Sequence, residues 1–120
     1  MILSYHHIQI TIPIGAEDIA REFYGQVLGL VEIEKPQALK KRGGLWFQLG
    51  DLQLHIGTED GVDRHKTKAH IAYRVSDVSH WKNKMIGLNI SVTDGISIPN
   101  VERIDFRDPF GNKVEMMQVL

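Results

Sequence analysis

Cysteine is absent from this sequence, and its absence excludes two kinds of chemistry. Disulfide bonds cannot form, and no thiolate is available to bind a metal. A metal site would have to use imidazole, carboxylate or amide groups, which suit hard or borderline divalent ions. The sequence therefore directs attention to its histidines and acidic residues.

An excess of charge of either sign is also absent, as are long apolar runs. The chain has 14 Lys and Arg against 15 Asp and Glu, so its formal net charge of -1 offers no long-range attraction for nucleic acid or anionic lipid. No segment approaches the roughly 20 apolar residues of a membrane helix. Because no basic leader precedes an apolar stretch at the N-terminus, we expect no signal peptide and a cytoplasmic protein.

What the chain does have is the composition of a globular domain. Hydrophobic residues make up 42% of its 120 residues and charged residues 24%. This length allows a substantial core but is too short for two independent domains. We therefore expect one soluble, cooperative domain over residues 1–120.

The first half of the chain has the pattern of a β-α-β-β-β module. His7–Ile12 alternates polar and apolar residues, which predicts a strand with His7 on its polar face and His6 pointing the opposite way. After it, helical apolar spacing is shown by Ile19, Phe23, Val27 and Leu28. Gly50-Asp51 suits a hairpin turn. The pattern predicts a helix at 16–28, strands at 30–34, 45–49 and 52–56, and a basic loop at 35–44. This module covers about residues 1–57.

The second half repeats the layout after a polar connector at 58–68. It predicts a strand at 70–75, a helix at 77–85 with Ser76 or Asp77 as its N-cap, strands at 90–93, 103–107 and 113–119, and a turn at 108–112. The module covers about residues 69–120. His7 and His70 take corresponding places, 63 residues apart. We expect an α+β fold, with two tandem βαβββ modules forming a curved mixed sheet around a concave groove and helices on its outer face.

The polar faces of the strands would meet in that groove. They contribute two imidazoles or more and a carboxylate, which is a typical ligand set for Zn, Ni, Co, Mn or Fe, and open positions would admit an oxygen-bearing substrate. The side chains gathered there are His7, Gln9, Gln53, His55, His70 and Glu115.

The sequence resembles the vicinal-oxygen-chelate superfamily, which includes glyoxalase I, extradiol dioxygenases, fosfomycin-resistance transferases, methylmalonyl-CoA epimerase and bleomycin-resistance proteins. The two most specific segments are Phe-Tyr-Gly-Gln-Val-Leu-Gly-Leu at 23–30 and Asp-Pro-Phe-Gly-Asn-Lys-Val-Glu at 108–115. Further matching segments are 7–10, 46–55, 69–75 and 106–107. The resemblance covers nearly the whole chain.

The resemblance implies that His7, His70 and Glu115 bind a divalent metal, with a fourth ligand on the fourth strand. His55 and Gln53 both remain candidates there, since imidazole is the stronger ligand but Gln53 matches the position in glyoxalase-like members. Glu115 is expected to serve as both ligand and catalytic base. The resemblance also implies a homodimer.

Five residues are candidates for substrate contacts. Gln9 and Gln53 share the polar face with the histidines, Trp46 is either core or an apolar wall of the groove, and Arg74 could hold a carboxylate or phosphate, as could Arg103. The cluster of Lys40, Lys41 and Arg42 is either a solvated loop or an anion-binding element.

The leading hypothesis is a metal-dependent glyoxalase-like enzyme, a lyase, isomerase, transferase or dioxygenase, that acts on a small molecule with two neighbouring oxygens. A metal-free small-molecule binding protein of the bleomycin-resistance type is the alternative. A non-catalytic subunit or sensor is a third hypothesis.

Overall fold

The computed structural model describes residues 1–120 and divides them into two compact units, Met1–Val62 and Asp63–Leu120. Each unit contains four strands and one main helix. The first unit has strands β1 His7–Ile12, β2 Val31–Ile33, β3 Leu45–Leu49 and β4 Leu52–Thr58, with helix α1 Glu17–Ala20 running on as the π-helical segment Arg21–Val27, and a 3₁₀ helix at Gln37–Arg42. The second has β5 His70–Arg74, helix α2 Val78–Gly87, β6 Thr93–Asp94, β7 Val101–Arg107 and β8 Lys113–Val119, with a 3₁₀ turn at Arg64–Lys66.

The two sheets have the same topology. Their strand orders are β1-β4-β3-β2 and β5-β8-β7-β6. In each sheet the first strand pairs in parallel with the last, and the other pairs are antiparallel. A parallel pair needs a crossover rather than a tight turn, and the helix after each first strand begins that connection. The prediction of an α+β fold built from two βαβββ modules is confirmed.

The core of the first unit lies between its helix and one face of its sheet. Tyr24 and Phe47 are almost completely buried, and their ring centroids are 6.4 Å apart. Phe23 packs edge-on against Tyr24 with centroids 5.0 Å apart. Buried aromatic rings of this kind contribute strongly to stability. Other buried apolar side chains of this unit are Ile12, Ala20, Leu28, Leu45, Leu54 and Ile56.

The first helix differs from its predicted periodicity. Ile19 was expected on the apolar face but is 54% exposed, whereas Ala20 is completely buried. The reason is the π-helical segment, in which the Leu28 amide donates to the carbonyl of Phe23, five residues back, at 2.9 Å. Because such a turn contains more residues than an α-helical turn, it shifts which side chains face the sheet.

The helix cap and the turn lie where the sequence predicted them, whereas one strand and one loop differ from the prediction. Asp77 is the N-cap of α2, since its carboxylate accepts from the His80 amide at 3.2 Å. Strand β6 begins at Thr93 rather than at residue 90, and the basic loop contains a 3₁₀ helix. In the 108–112 turn, Asp108 accepts from the amides of Phe110 and Asn112, which confirms its structural role. No helix is long and apolar enough to cross a membrane.

Candidate functional site

The strand register of the first sheet places five predicted site residues on one face. His7 pairs with Gln53, and Gln9 pairs with His55, across the parallel strands β1 and β4. On the other side of β4, Trp46 of β3 pairs with His55. Paired residues in neighbouring strands point to the same face of a sheet. The face therefore carries three aromatic rings and two amides.

The three rings form one stack. Trp46 lies parallel to His55, with centroids 3.8 Å apart and an interplanar angle of 4°. His55 in turn stacks on His7 at 4.0 Å and 14°. The ambiguous Trp46 therefore contacts the candidate site rather than serving only the core. His55 is held between two rings and is only 5% exposed.

Gln53 and His55, the two rivals for one ligand position, are bonded to each other. Nε2 of His55 lies 2.9 Å from Oε1 of Gln53. Since an amide oxygen only accepts, Nε2 carries the proton and Nδ1 has the free lone pair. Burial, together with the nearby positive charge of His7, His6 and Lys35, lowers the pKa of His55 to about 4, so the ring is neutral at pH 7.

In the second sheet, His70 and Glu115 are in contact. Nδ1 of His70 lies 2.8 Å from the carbonyl oxygen of Lys68, and Nε2 lies 3.2 Å from Oε1 of Glu115. Arg103 approaches the same carboxylate oxygen at 3.6 Å. Glu115 is a buried carboxylate, 8% exposed, that faces an imidazole and a guanidinium.

The internal repeat identifies which residue of the first unit corresponds to Glu115. Glu115 pairs with Ala72 of β5, two residues after His70, and His55 pairs with Gln9, two residues after His7. By register, His55 is therefore the counterpart of Glu115. Gln53 takes the place that Lys113 has in the second unit.

A cavity of about 670 Å³ opens beside the ring stack within the first unit. Its lining includes predicted site residues and others that the sequence reasoning did not assign to the site. The predicted ones are His7, Gln9, Trp46 and His55, and the additional ones are His6, Lys35, Leu39, Arg42, Gly43, Ile56, Gly57 and Thr58.

Two of the additional residues, His6 and Arg42, belong to segments that the sequence pattern had already singled out. His6 was expected to point away from His7, but the two Nδ1 atoms are 3.0 Å apart. That prediction was wrong because β1 begins at His7, so strand alternation does not extend to His6. Arg42 belongs to the basic cluster, but only the 3₁₀ helix determines which of its members reaches the cavity.

The remaining candidate, Arg74, is exposed at the end of β5, where it pairs with Met117. It lies on the same face of the sheet as His70, because residues at even spacing along a strand point the same way. Its position is consistent with a role in binding an anion.

Comparison with known proteins identifies the family. The profile of the Glyoxalase/Bleomycin resistance protein/Dioxygenase superfamily matches residues 5–116. The chain belongs to this superfamily. A glyoxalase family protein from Bacillus anthracis is 41% identical, with a TM-score of 0.92 over 100% of this chain and 98% of that one. No protein of curated function matches the sequence.

More distant structures share the superfamily fold but differ in their described activities. Lactoylglutathione lyase from Agrobacterium tumefaciens is 22% identical, with a TM-score of 0.73 over 96% of this chain and 92% of that one. An antibiotic binding protein from a Streptomyces species is 19% identical, with a TM-score of 0.75 over 100% and 99%. Similarity at these identities shows the fold alone.

The superfamily implies a divalent metal, and the side chains fit it only in part. No three His, Asp or Glu side chains form a cluster that could hold a metal ion in this structure. His70 and Glu115 do fit as two ligands, because their 3.2 Å separation is close to the ~3.0–3.4 Å between neighbouring ligand atoms around a divalent ion. His7 and His55 stack in parallel, so their in-plane lone pairs do not converge without a rotation of one ring.

Proposed function

We propose that this superfamily member is a metal-dependent enzyme that acts on a small molecule with two neighbouring oxygens. The observation that carries the proposal is the contact between Nε2 of His70 and Oε1 of Glu115. Because the Lys68 carbonyl can only accept, Nδ1 of His70 must carry a proton. In the neutral ring, Nε2 then presents a lone pair to the carboxylate.

Two acceptor atoms that face each other repel unless a positive charge lies near both. Arg103 lies 3.6 Å from the carboxylate oxygen but donates nothing to the imidazole lone pair. A divalent cation would satisfy both atoms, and a histidine whose second nitrogen donates to a backbone carbonyl is the usual arrangement of a metal ligand. A second proton on His70 would also satisfy them, and the experiment below separates the two.

We propose His7, His55, His70 and Glu115 as the metal ligands, with Zn, Ni, Co, Mn or Fe as the ion. His55 is preferred to Gln53 because it is the register counterpart of Glu115. When bound, the ion would act as a Lewis acid on the paired oxygens of the substrate. Because Nε2 of His55 is bonded to Gln53, the ion would bind His55 either through Nδ1 or after that hydrogen bond is lost.

The chain's own residues would then hold the substrate and move a proton. Glu115 is proposed as the catalytic base, since its buried carboxylate has one oxygen directed at His70 and Arg103 and a carboxylate has a second oxygen that can accept a proton. Gln9, Gln53, Trp46 and Arg74 are proposed as substrate contacts. Lyase or isomerase chemistry uses these groups most directly.

A second candidate function is metal-free binding of a small molecule. It is favoured by the ring stack, in which His55 is already engaged by Gln53 and covered on both faces. In this case the aromatic surface beside the cavity would provide the affinity, and no proton transfer would occur.

Metal analysis of protein purified without an affinity tag separates the two functions. We expect bound metal, and titration of chelator-treated protein with Ni, Co, Zn, Mn and Fe should give saturable binding that H70A and E115A weaken by at least ~10-fold. H80A is the matched control, because His80 lies on α2. Absence of metal binding, or an equal loss in H80A, would exclude the enzyme proposal.

We also propose that the two units act as one glyoxalase-like domain and that the protein is a homodimer. Light scattering of the purified protein tests the second statement, since a homodimer has twice the 13.6 kDa mass of the chain. The groove between sheets and the cytoplasmic location stay predictions from the sequence.

A further inference from the structure

We propose that the cavity of the first unit binds the anionic group of the substrate, either a carboxylate or a phosphate, carried on a flat apolar body. The inference rests on the proposed function, because the same cavity is lined by His7, Trp46 and His55. It adds the charge class of this chain's own substrate and the residues that would recognise the charge.

The lining of the cavity is basic and contains no carboxylate. Its basic side chains are the ammonium of Lys35 and the guanidinium of Arg42, with the imidazoles of His6 and His7 beside them. Charges of one sign in a concave site reinforce one another and attract an ion of opposite sign. The whole chain is close to neutral, so this concentration of basic groups is local rather than a result of composition.

The basic residues of the first unit differ in whether a carboxylate already pairs with them. Lys40 forms an ion pair with Glu34, and Arg21 pairs with Glu32 and Asp18. Arg42 forms no ion pair with a carboxylate, although it lies only two residues from Lys40. Of the basic cluster, only Arg42 lines the cavity. Its guanidinium is therefore available to an anion.

The segment that carries these charges is fixed against strand β4. The Lys35 ammonium donates to the carbonyl of Gly43, and the Thr58 hydroxyl donates to the carbonyl of Arg42 at 3.3 Å. Next to them, Gly44 approaches β4 so closely that a Cβ atom there would lie 2.1 Å from the carbonyl oxygen of Ile56. Anchoring of this kind reduces the entropy lost when a ligand binds.

The other walls of the cavity are apolar or aromatic. Leu39 and Ile56 contribute aliphatic surface, and Trp46 contributes part of the ring stack. Flat apolar groups bind well against such surfaces, and the cavity volume of about 670 Å³ suits a small organic molecule. The lining thus favours a ligand with an anionic end and a flat body.

Tryptophan fluorescence offers a direct test, because Trp46 lines the cavity and the only other tryptophan is Trp81 on α2. We suggest the full chain with W81F, treated with chelator, and titrated separately with phenylacetate, phenyl phosphate and phenylacetamide. Phenylacetamide matches phenylacetate in shape but is neutral. The two anions show whether a carboxylate or a phosphate is preferred.

We expect at least one anion to bind about 10-fold more tightly than phenylacetamide, with an affinity that decreases as salt is added. R42Q should remove most of that preference, whereas K41Q, next to it on the same 3₁₀ helix, should change the affinity less than about twofold. Circular dichroism would show that both variants remain folded, and K35Q provides a second test of the charge.

Equal affinity for the amide and both anions, the same loss in K41Q as in R42Q, or no binding of any probe would overturn the inference. Repeating the titrations with metal-loaded protein keeps this failure separate from that of the proposed function. Anion binding that depends on metal but not on Arg42 or Lys35 would reject the basic cavity while leaving the metal site intact. Anion binding that depends on Arg42, in a protein with no affinity for metal, would reject the metal site while leaving the basic cavity intact.

Discussion

His55 and Glu115 occupy equivalent places in the two sheets, each paired with the residue two positions after the first histidine of its module. One module therefore has an imidazole where the other has a carboxylate. The imidazole is bonded to Gln53 and stacked between rings, and the carboxylate faces His70 and Arg103. The repeat has kept its geometry while the chemistry of the two positions has diverged.

The pH dependence of stability should reflect His55. Burial lowers its pKa from 6.5 to about 4, so the unfolded chain binds the proton more readily than the folded chain between these values. Protonation of His55 therefore does not reduce the free energy of unfolding above pH 6.5. As the pH falls from 6.5 to 4, it should lower the free energy of unfolding by up to about 3 kcal/mol. Denaturant titrations across this range measure the change.

The control for that prediction is H55Q compared with H80Q, since His80 is exposed. H55Q should flatten the pH profile between 6.5 and 4, and H80Q should leave it as in the parent. A proton NMR titration that gives His55 an ordinary pKa near 6.5 would contradict the assignment.

The tautomer of His55 gives a second prediction. With Gln53 accepting from Nε2, nitrogen NMR should show the proton on Nε2 and none on Nδ1 at pH 7. Q53L removes the acceptor, so the ring should become a mixture of both tautomers. An Nδ1-protonated ring in the parent protein would mean that the amide is reversed and donates to the imidazole instead.

Gly44 gives a stability prediction near the cavity. Its φ of 87° disfavours any side chain, and an added Cβ would lie 2.1 Å from the Ile56 carbonyl oxygen. We expect G44A to lower the free energy of unfolding by more than about 3 kcal/mol. In G29A the φ of 79° is similar but nothing lies within 4 Å, so only the backbone cost of about 1–2 kcal/mol applies. Equal effects in the two variants would show that the close approach is absent.

The fold was predictable because its signals are local and repeated. Alternation predicted the strand His7–Ile12 and the turn at 108–112 preceded the predicted strand Lys113–Val119, both with their observed bounds. The helix cap was predicted at Ser76 or Asp77 from residue type, and it is Asp77. The exposed Ile19 could not be foreseen, because a π-helical turn changes the periodicity that the prediction assumes. Local pattern therefore predicts elements better than it predicts departures from regular geometry.

The candidate site was only partly predictable, for a different reason. Period two places His7, Gln9, Gln53 and His55 on one face of a sheet, which the register confirms. Which of these side chains contact each other depends on their rotamers. The spacing of residues in the sequence therefore predicts neither the Gln53–His55 hydrogen bond nor the ring stack. The basic wall of the cavity depends on how the segment before β3 folds back onto β4, which involves contacts distant in sequence.

The X-ray absorption spectrum of the metal-loaded protein tests directly whether His70 binds the metal, because it counts imidazole ligands from their characteristic scattering. We expect imidazole nitrogen together with oxygen at the metal, with one imidazole fewer in H70A and no change in H80A. A spectrum without imidazole, or one that H70A leaves unchanged, would contradict the claim that His70 and Glu115 hold the metal.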